Sequence, residues 1–507
     1  MKTHLYGLLS LFVLTTNVFS QTTQVSEPLP ESGREILGIW KSKVVSTLGQ
    51  NEIFIVDNML AYSRQQVLLK PKLEHHATSW LMKVLMQGKF LYEVHYIFDE
   101  RKVEPAKAKR NVLVKRDIET LEIVSQKELQ HNLLNLKFCL SDEKGFFLCL
   151  GTTDPTVNPE GIYQPRLSNR KIIPKMLYRF DYELEQKWSY DLSEYDLKTT
   201  RMINDWSTDD AGNILIPVFK RDAENLSNRS LFSEIELLVI DPSGTALVKK
   251  LDAPEWDFEI ASAHFSYHVA DQCITGRFIV TQRYGKEAPL KKRSGFHFVK
   301  WDMTGHLLYR NLEWFKYKDF LSNENSTYLK SLNLHEEDEL AFEVLPENDS
   351  YHAMPNGDVF FFSDHVEDEN DQLMNSKLFF MVSKEGTMIW KKLLVYDSHR
   401  IYKSDSWKIE GSNLYLYIRE YNDNCKSGTY TFQPSFVNTN GTNVDLYLRT
   451  IDLLDGQVKS IRPVYPENKA WQYEAEPFVY FDPVKKEHIV RYKNPKLNME
   501  RMVTLTF

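Results

Sequence analysis

A turn motif recurs along this chain and constrains its fold more than any other feature. Each copy has an apolar run, an aspartate or serine that starts a turn, and a second apolar run, as in Leu237–Ile240, Asp241–Gly244 and a strand to Val248. An aspartate in the first turn position accepts a hydrogen bond from the backbone two residues on, and the later glycine adopts a positive φ at low cost. The β-branched and aromatic flanks favour strands. We therefore predict six tight hairpins, with turns that start at Asp117, Asp181, Asp241, Asp302, Ser383 and Asp452.

A second kind of hairpin alternates with the first. In its clearest copy, Tyr351–Met354 turns at Pro355–Asp358 into Val359–Phe362. Seven such hairpins begin near residues 79, 133, 203, 262, 345, 407 and 473. One hairpin of each kind in succession makes a four-stranded antiparallel meander, so the sequence predicts an all-β chain built from repeats of this unit.

In repeat period and turn chemistry, residues 36–507 resemble β-propeller repeat proteins at the superfamily level. Propellers bury both faces of each four-stranded sheet against neighbours in a ring. The seven hairpin starts predict seven blades, with six or eight as alternatives, and an array of β-sandwiches is the rival architecture. Because the last blade lacks its second hairpin, we expect an N-terminal strand from Ile36–Val45 or Ile53–Val56 to complete it and close the ring. No specific family fingerprint is found, so no activity is implied.

The start of the chain predicts export. Lys2 precedes an apolar run, Leu5–Val18, and cleavage after Ser20 would leave Gln21 as the mature N-terminus. We expect residues 1–20 to be a signal peptide, 21–35 a flexible segment and 36–507 one propeller domain. No later stretch reaches the roughly 18 apolar residues of a transmembrane helix. The mature protein would be periplasmic, at the cell surface or secreted.

The net charge argues against a nucleic-acid partner, and the cysteine spacing argues against a zinc site. The net charge of -8 argues against a nucleic-acid partner. The four cysteines fit no zinc-binding spacing. Cys139 and Cys149 flank a turn near Lys144, so they would either form a cross-strand disulfide or remain small buried hydrophobic residues.

Side chains that could take part in binding or catalysis are scattered along the sequence. His264 and His268 share one strand face, but a spacing of four residues separates them by roughly 13 Å, too far for one metal ion without partners from elsewhere. Asp205 and Trp206 would bind a sugar or cation, unless Trp206 is simply core. The sequence has no nucleophile elbow, zinc-protease helix or phosphate-binding loop.

Two charged loops are further candidates for binding. The basic loop 283–293 starts with Arg283 and Tyr284 and would attract an anionic partner. The acidic loop 364–371 would collect calcium, although it lacks the alternating spacing of a calcium loop. The alternative for both is an ordinary solvated loop.

Three functional hypotheses follow. The leading one is a non-catalytic exported propeller that binds a protein or glycan ligand across one face, with Trp206, His268, Arg283 and Tyr284 as candidate contacts. The second is a carbohydrate- or ester-acting hydrolase or lyase at the mouth of the channel. Its candidate catalytic residues are Asp205, His264, His352 and Glu476, all near predicted entrances of inner strands. The third is a structural subunit of a cell-surface assembly. Whether the chain is an enzyme stays open.

Overall fold

The structure is a computed structural model of the chain. It describes the following residues: 22–25, 29–30, 36–41, 43–48, 52–57, 63–72, 77–99, 109–129, 134–142, 144–153, 172–195, 206–209, 211–221, 232–252, 258–284, 291–320, 337–339, 341–343, 351–354, 356–363, 365–367, 376–395, 406–421, 444–464, 479–482, 486–494 and 499–506. The predicted signal peptide, residues 1–20, lies outside these ranges.

The described residues form strands and one short 3₁₀ helix. The strands in the first part of the chain are β1 (Thr22–Val25), β2 (Leu29–Pro30), β3 (Ile36–Trp40), β4 (Lys43–Leu48), β5 (Glu52–Asp57), β6 (Ser63–Leu68), β7 (Ala77–Gln87), β8 (Phe90–Asp99), β9 (Lys109–Asp117), β10 (Ile123–Glu128), β11 (Leu134–Asp142), β12 (Gly145–Thr153), β13 (Ile172–Asp181) and β14 (Gln186–Asp191). The middle strands are β15 (Ser207–Thr208), β16 (Ile214–Arg221), β17 (Phe232–Ile240), β18 (Ala246–Leu251), β19 (Glu259–His268), β20 (Cys273–Tyr284), β21 (Lys291–Asp302) and β22 (Leu307–Trp314), followed by the 3₁₀ helix Tyr317–Phe320. The remaining strands are β23 (Ala341–Glu343), β24 (Tyr351–Ala353), β25 (Val359–Ser363), β26 (His365–Glu367), β27 (Ser376–Val382), β28 (Met388–Val395), β29 (Ser406–Glu410), β30 (Asn413–Tyr421), β31 (Val444–Asp452), β32 (Val458–Pro463), β33 (Val479–Asp482), β34 (Glu487–Asn494) and β35 (Met499–Thr506).

Within the described ranges the strands pair into eight antiparallel sheets built on four-stranded meanders, plus the small pair β23–β26. We number the large sheets in chain order: sheet 1 (β3–β6), sheet 2 (β7–β10), sheet 3 (β11–β14), sheet 4 (β15–β18), sheet 5 (β19–β22), sheet 6 (β24, β25, β27 and β28), sheet 7 (β29–β32) and sheet 8 (β33–β35 with β1, and β2 also on β35). The predicted all-β class and the four-stranded repeat are confirmed.

The sequence-based count of seven missed sheet 1. Its first turn joins Trp40 to Lys43 with Lys41 at φ 55°, a conformation that glycine or asparagine usually supplies and that no glycine here announces. The prediction that Ile36–Val45 or Ile53–Val56 joins the last sheet is therefore wrong, because these segments pair with each other. The N-terminal strand that pairs in sheet 8 is β1, with Thr22 opposite Thr506.

The predicted turn chemistry is confirmed at the atomic level. Asp241 Oδ1 accepts hydrogen bonds from the backbone N–H groups of Ser243 and Thr245, both at 2.9 Å. Asp117, Asp181, Asp302 and Asp452 accept the same bond from the residue two positions on, whereas Ser383 accepts it from the fourth residue on. These bonds satisfy the turn backbone locally, which is why each hairpin can be predicted from its own sequence.

The core lies between successive sheets. Tyr92 and Val94 of sheet 2, for example, pack with Phe146 and Leu148 of sheet 3. We call each such contact layer a seam and name it by its two sheets. Similar apolar clusters fill the described seams up to the 7/8 seam, and β33 of sheet 8 also contacts β3 of sheet 1. Four-stranded meanders that bury both faces against their neighbours are the architecture of a β-propeller.

Each sheet has two different ends. Because the strands alternate in direction, the turns from first to second and from third to fourth strand share one end, here the turn end. These turns range from two residues at 88–89 to five at 118–122. All longer links, such as 154–171, 422–443 and 315–350, meet the sheets at the opposite end, which we call the connection end.

Cys139 and Cys149 are not opposite each other. A turn that pairs Asp142 with Gly145, and an irregularity in the ladder, set Cys139 opposite Phe147 and Cys149 opposite Lys137. Cys149 is buried beside Phe147 and Leu177 in the 3/4 seam, which agrees with its interpretation as a small buried hydrophobic residue. In the part of the chain that the structure describes, no helix has the length and hydrophobicity to span a membrane.

Candidate functional site

The two predicted histidines on β19 belong to a polar array at the turn end of the 5/6 seam. Alternation along β19 and pairing with β20 build this polar array, with His264 opposite Arg277, Ser266 opposite Thr275 and His268 opposite Cys273. Each histidine contacts a hydroxyl: His264 Nε2 lies 3.3 Å from Ser266 Oγ, and His268 Nε2 lies 3.2 Å from Thr275 Oγ1. The array thus surrounds hydroxyl groups with three nitrogen-bearing side chains.

Arg277 ties the polar array to sheet 6. Its guanidinium is fully buried, and Nη1 donates to the hydroxyls of Ser266 at 3.2 Å and Thr275 at 3.3 Å. Nη2 donates to the backbone carbonyls of Gly357 at 3.4 Å and Lys384 at 3.1 Å, which lie in the two turns of sheet 6. The guanidinium therefore links sheet 5 to sheet 6, and all of its hydrogen-bond acceptors are uncharged.

The proposed acid–base residues differ in environment. His264 is buried, and burial together with the nearby Arg277 charge holds the pKa of His264 well below its usual value, so its ring is neutral. His352 is exposed and meets the ring of Trp407 in sheet 7, with the ring centroids 6.3 Å apart. Asp205 and Glu476 lie outside the described residues. The described histidines thus have separate partners.

Trp206 lies in the core. It is 7% exposed and packs with Phe147 and Ile216 in the 3/4 seam. The nearby Asp209 accepts backbone hydrogen bonds from Ala211 and Asn213 and so makes the turn. This arrangement agrees with the simpler sequence interpretation, in which the tryptophan is core and the carboxylate shapes the turn.

The basic loop leads to an ordered charged surface at the connection end. Arg283 and Tyr284 form ladder pairs with Lys292 and Lys291, and residues 285–290 lie outside the described ranges. Arg293, at the start of β21, is already engaged. Its Nη1 lies 2.9 Å from Glu339 Oε1, and its guanidinium lies 4.2 Å from the centroid of a Trp314 ring.

The residues around Arg293 form a surface that we call the charged platform: Arg293, Glu313, Lys316, Lys318, Asp319, Glu337, Glu339 and Lys391. The chain folds this way because Phe315, Tyr317 and Phe320 enter the core, which leaves Lys316 and Lys318 at the surface. The Tyr317 N–H donates to the Asp338 carbonyl at 2.8 Å and so holds residues 337–339 against the 3₁₀ helix.

Ion pairs order the charged platform. Lys316 Nζ lies 2.7 Å from Glu337, Lys318 also pairs with Glu337, and Lys391 Nζ lies 2.6 Å from Glu313. Hydrogen bonds from Lys316 and Lys318 lower the pKa of Glu337 to about 2, so this carboxyl is charged throughout the physiological range. The platform presents fixed charges of both signs to solvent.

The described part of the acidic loop forms a strand and is not arranged as a calcium site. His365–Glu367 form β26, which pairs with β23, and residues 368–371 lie outside the described ranges. Among the described residues no group of three or more His, Cys, Asp or Glu side chains is placed to hold a metal ion. Calcium binding by this loop stays a prediction.

Sequence reasoning missed a buried ionic cluster in sheet 2. Glu93 is fully buried; its Oε2 lies 2.8 Å from His95 Nε2 and its Oε1 accepts a hydrogen bond from Arg116 Nε at 2.6 Å. Arg116 also donates to the carbonyls of Lys70 and Leu121. Since Lys70 follows the last strand of sheet 1, the cluster connects sheets 1 and 2. The alternation of Glu93 and His95 was the available sequence signal.

Another buried polar pair lies in the 7/8 seam. Tyr417 and His488 share a hydrogen bond and are both fully buried. Burial, with the charges of Lys408 and Arg462, lowers the pKa of His488 to about 3. Burial and Arg310 likewise lower the pKa of His297, on sheet 5, to about 4. These histidines are neutral and serve packing.

Comparisons with known proteins give distant likenesses. No protein-family model matches the sequence, and no curated protein matches it. Among solved structures, the chain is similar to the propeller of Dos1, with 11% identity and a TM-score of 0.43, covering 96% of this chain and 95% of that chain. It is also similar to the WD40 domain of SCAP from fission yeast, with 10% identity and a TM-score of 0.33 (96% and 94% covered).

A further similar structure is the β-propeller domain of the Trilobed protease from Pyrococcus furiosus, with 10% identity, a TM-score of 0.33, and 85% and 94% of the two chains covered. At such scores these likenesses assign neither an activity nor a number of blades. The fold assignment depends on the strand pairing and the seams.

Proposed function

We propose that this protein is a non-catalytic, exported β-propeller that binds a protein or glycan partner through its connection end. The observation that carries the proposal is the charged platform. Two described parts of the connection between sheets 5 and 6, residues 315–320 and 337–339, are held together by ion pairs and by the backbone hydrogen bond from Tyr317 to Asp338. A partner that meets preformed, oppositely charged groups loses less conformational entropy on binding than one that must order them.

The turn end supports the same assignment. Its aspartates are occupied by their own turns: backbone and hydroxyl hydrogen bonds lower the pKa of Asp241 and Asp302. A carboxylate that already accepts several hydrogen bonds offers fewer free lone pairs to a ligand. The connection end has the longer links, and loops on a rigid scaffold are where binding residues concentrate.

We also propose that the eight sheets are eight blades of one closed ring. The contact between β33 and β3, and the pairing of β1 with β35, support this count. Deleting residues 21–26 would leave Val503–Thr506 of β35 without an outer partner, while β2 still pairs with Met499 and Glu500, and should lower the melting temperature. An unchanged melting temperature would contradict the closing role of β1.

The binding proposal is tested on the mature chain with a platform variant, Lys316→Ala/Lys318→Ala/Glu337→Ala. Partners are first isolated by pull-down from the native exported fraction and on a glycan array, and each isolated partner is then titrated against wild type and variant. We expect the variant to lose at least ten-fold in affinity, because three exposed charges disappear from the contact surface. Turnover of a polysaccharide by wild type, with no binding partner, would favour the hydrolase or lyase hypothesis instead.

A matched control removes the same charges at the turn end. Lys187, Lys459 and Glu185 are all exposed there, with side-chain exposures of 53% and 44% for the two lysines. The triple alanine variant at these positions should bind as wild type does. Equal losses in both variants would show a general charge effect and would overturn the assignment of the connection end.

A further inference from the structure

Two buried guanidinium groups in this molecule have the same role in their seams. Arg116 in sheet 2 donates to the Lys70 carbonyl of sheet 1's exit segment, and Arg277 in sheet 5 donates to the Gly357 and Lys384 carbonyls of sheet 6. Each side chain thus connects neighbouring sheets through backbone oxygens. The two guanidinium groups differ in whether a carboxylate of the chain lies beside them.

Arg116 has its counter-ion within the chain. Its Nε donates to Glu93 Oε1 at 2.6 Å and its Nη2 lies 3.2 Å from Glu93 Oε2, so the carboxylate occupies the Nε edge of the guanidinium in a bidentate arrangement. The charge is therefore neutralised at the place where it is buried, as buried charges require.

Among the described residues, no carboxylate pairs with the Arg277 guanidinium in this way. Its Nη atoms donate to hydroxyls and carbonyls, and its buried Nε has no hydrogen-bond acceptor among the described residues. Asp358 and Glu385 are near enough to act on its charge, but Asp358 accepts bonds from Asn356 and the Lys384 N–H, and Glu385 lies 3.7 Å from the Lys384 ammonium. Burial lowers the pKa of Arg277 to about 10, which leaves it charged at neutral pH.

We propose that the Nε edge of Arg277 binds a small monovalent anion, a carboxylate or a halide, in the 5/6 seam. The anion accepts a hydrogen bond from the Arg277 Nε–H alone, unlike Glu93 on Arg116, because the Nη2 group of Arg277 already donates to the Gly357 and Lys384 carbonyls. His268 is only partly buried and lies in the same polar array beside the turn that contains Val269, which is 54% exposed.

The test measures thermal unfolding of the mature full chain in sodium formate, sodium chloride and sodium gluconate at one ionic strength and pH 7. Gluconate is the control for general salt effects because it is too bulky for a closed seam. Formate or chloride should raise the melting temperature in a saturable way, by about 1–2 °C at ten times the dissociation constant. Comparison of the formate and chloride series shows which kind of anion the site prefers.

Two variants connect the effect to this site. In Arg277→Met the difference between small and bulky anions should vanish. In His264→Glu, a carboxylate stands directly opposite Arg277 in the ladder and supplies the counter-ion, so the anion dependence should vanish while the protein stays folded.

The proposal is overturned by equal melting temperatures in all three salts. It is also overturned if folded Arg277→Met or His264→Glu retains the difference. Should Arg277→Met fail to fold, His264→Glu decides alone. These results do not bear on the charged platform, which lies at the other end of the sheets.

Discussion

Gly456 offers the sharpest test of how the seams are packed. It lies in the turn from β31 to β32 with φ +71°, and a Cβ atom there would lie 2.7 Å and 2.8 Å from Trp390 indole carbons in sheet 6. The Trp390 indole Nε1 donates to the Leu453 carbonyl of the same turn at 2.7 Å, so the ring cannot move away without losing that bond. In Gly456→Ala we expect about 1 kcal/mol of backbone strain and about 1–3 kcal/mol of overpacking, about 2–4 kcal/mol in all.

Gly411→Ala is the matched control. Gly411 lies in the other turn of sheet 7 with φ +56°, and a Cβ atom there meets nothing within 4 Å. The free energy of unfolding of Gly411→Ala should therefore fall only by the backbone contribution, about 1 kcal/mol. Urea unfolding followed by tryptophan fluorescence gives both values. If the two variants lose equal stability, contact between the turn of sheet 7 and Trp390 contributes nothing, and our account of the 6/7 seam is wrong.

Three further predictions concern buried polar groups. Trp390→Phe should cost about 1–3 kcal/mol in urea unfolding through the lost indole hydrogen bond and ring volume, and a loss below 0.5 kcal/mol, roughly the scatter for neutral surface changes, would contradict the contact. Glu93→Gln should cost about 3–5 kcal/mol by the same measurement because it leaves a buried guanidinium without its counter-ion, whereas Glu122→Gln, at an exposed side chain of the same sheet, should change little. The folded-state pKa values of His297 and His488, about 4 and about 3, lie below those of the unfolded chain, so the unfolded state binds protons first and stability falls as pH drops below about 6.5, by up to about 1.4 kcal/mol per pH unit for each histidine. His297→Gln should reduce that slope between pH 6.5 and 4 relative to wild type, and an unchanged slope would show that His297 is protonated in the folded protein.

The hairpins could be predicted from sequence because their causes are local. A side chain such as Asp302 bonds to the backbone within four residues, so the sequence around it contains the whole cause of the turn. Sheet 1 was missed for the same reason: Lys41 adopts positive φ with no glycine or asparagine to mark it. Where the local sequence signal is absent, only the strand pairing in the structure reveals the hairpin.

The buried polar clusters could not be predicted, because they depend on register between strands and between sheets. Glu93 and Arg116 are 23 residues apart in sequence and meet only because β8 pairs with β9 at one register. Likewise, a spacing of four correctly separated His264 from His268, but nothing in the sequence indicated that Arg277 would stand opposite His264. A shift of one residue would have moved each of these groups to the other face.

The two ends of the sheets differ for a physical reason that also limits where function can evolve. At the turn end, short turns fill the seams: Gly244 stands against Trp188 and Gly386 against Phe298, so that added side chains there would collide with the neighbouring sheet. Changes at these two positions therefore cost stability in two sheets at once, whereas Gly411 at the same end has open space. At the opposite end, the described residues 315–320 send Phe315, Tyr317 and Phe320 into the core and leave Lys316 and Lys318 at the surface, where a change of charge leaves the seam unaltered. We therefore expect a binding surface at the connection end, as we propose for the charged platform.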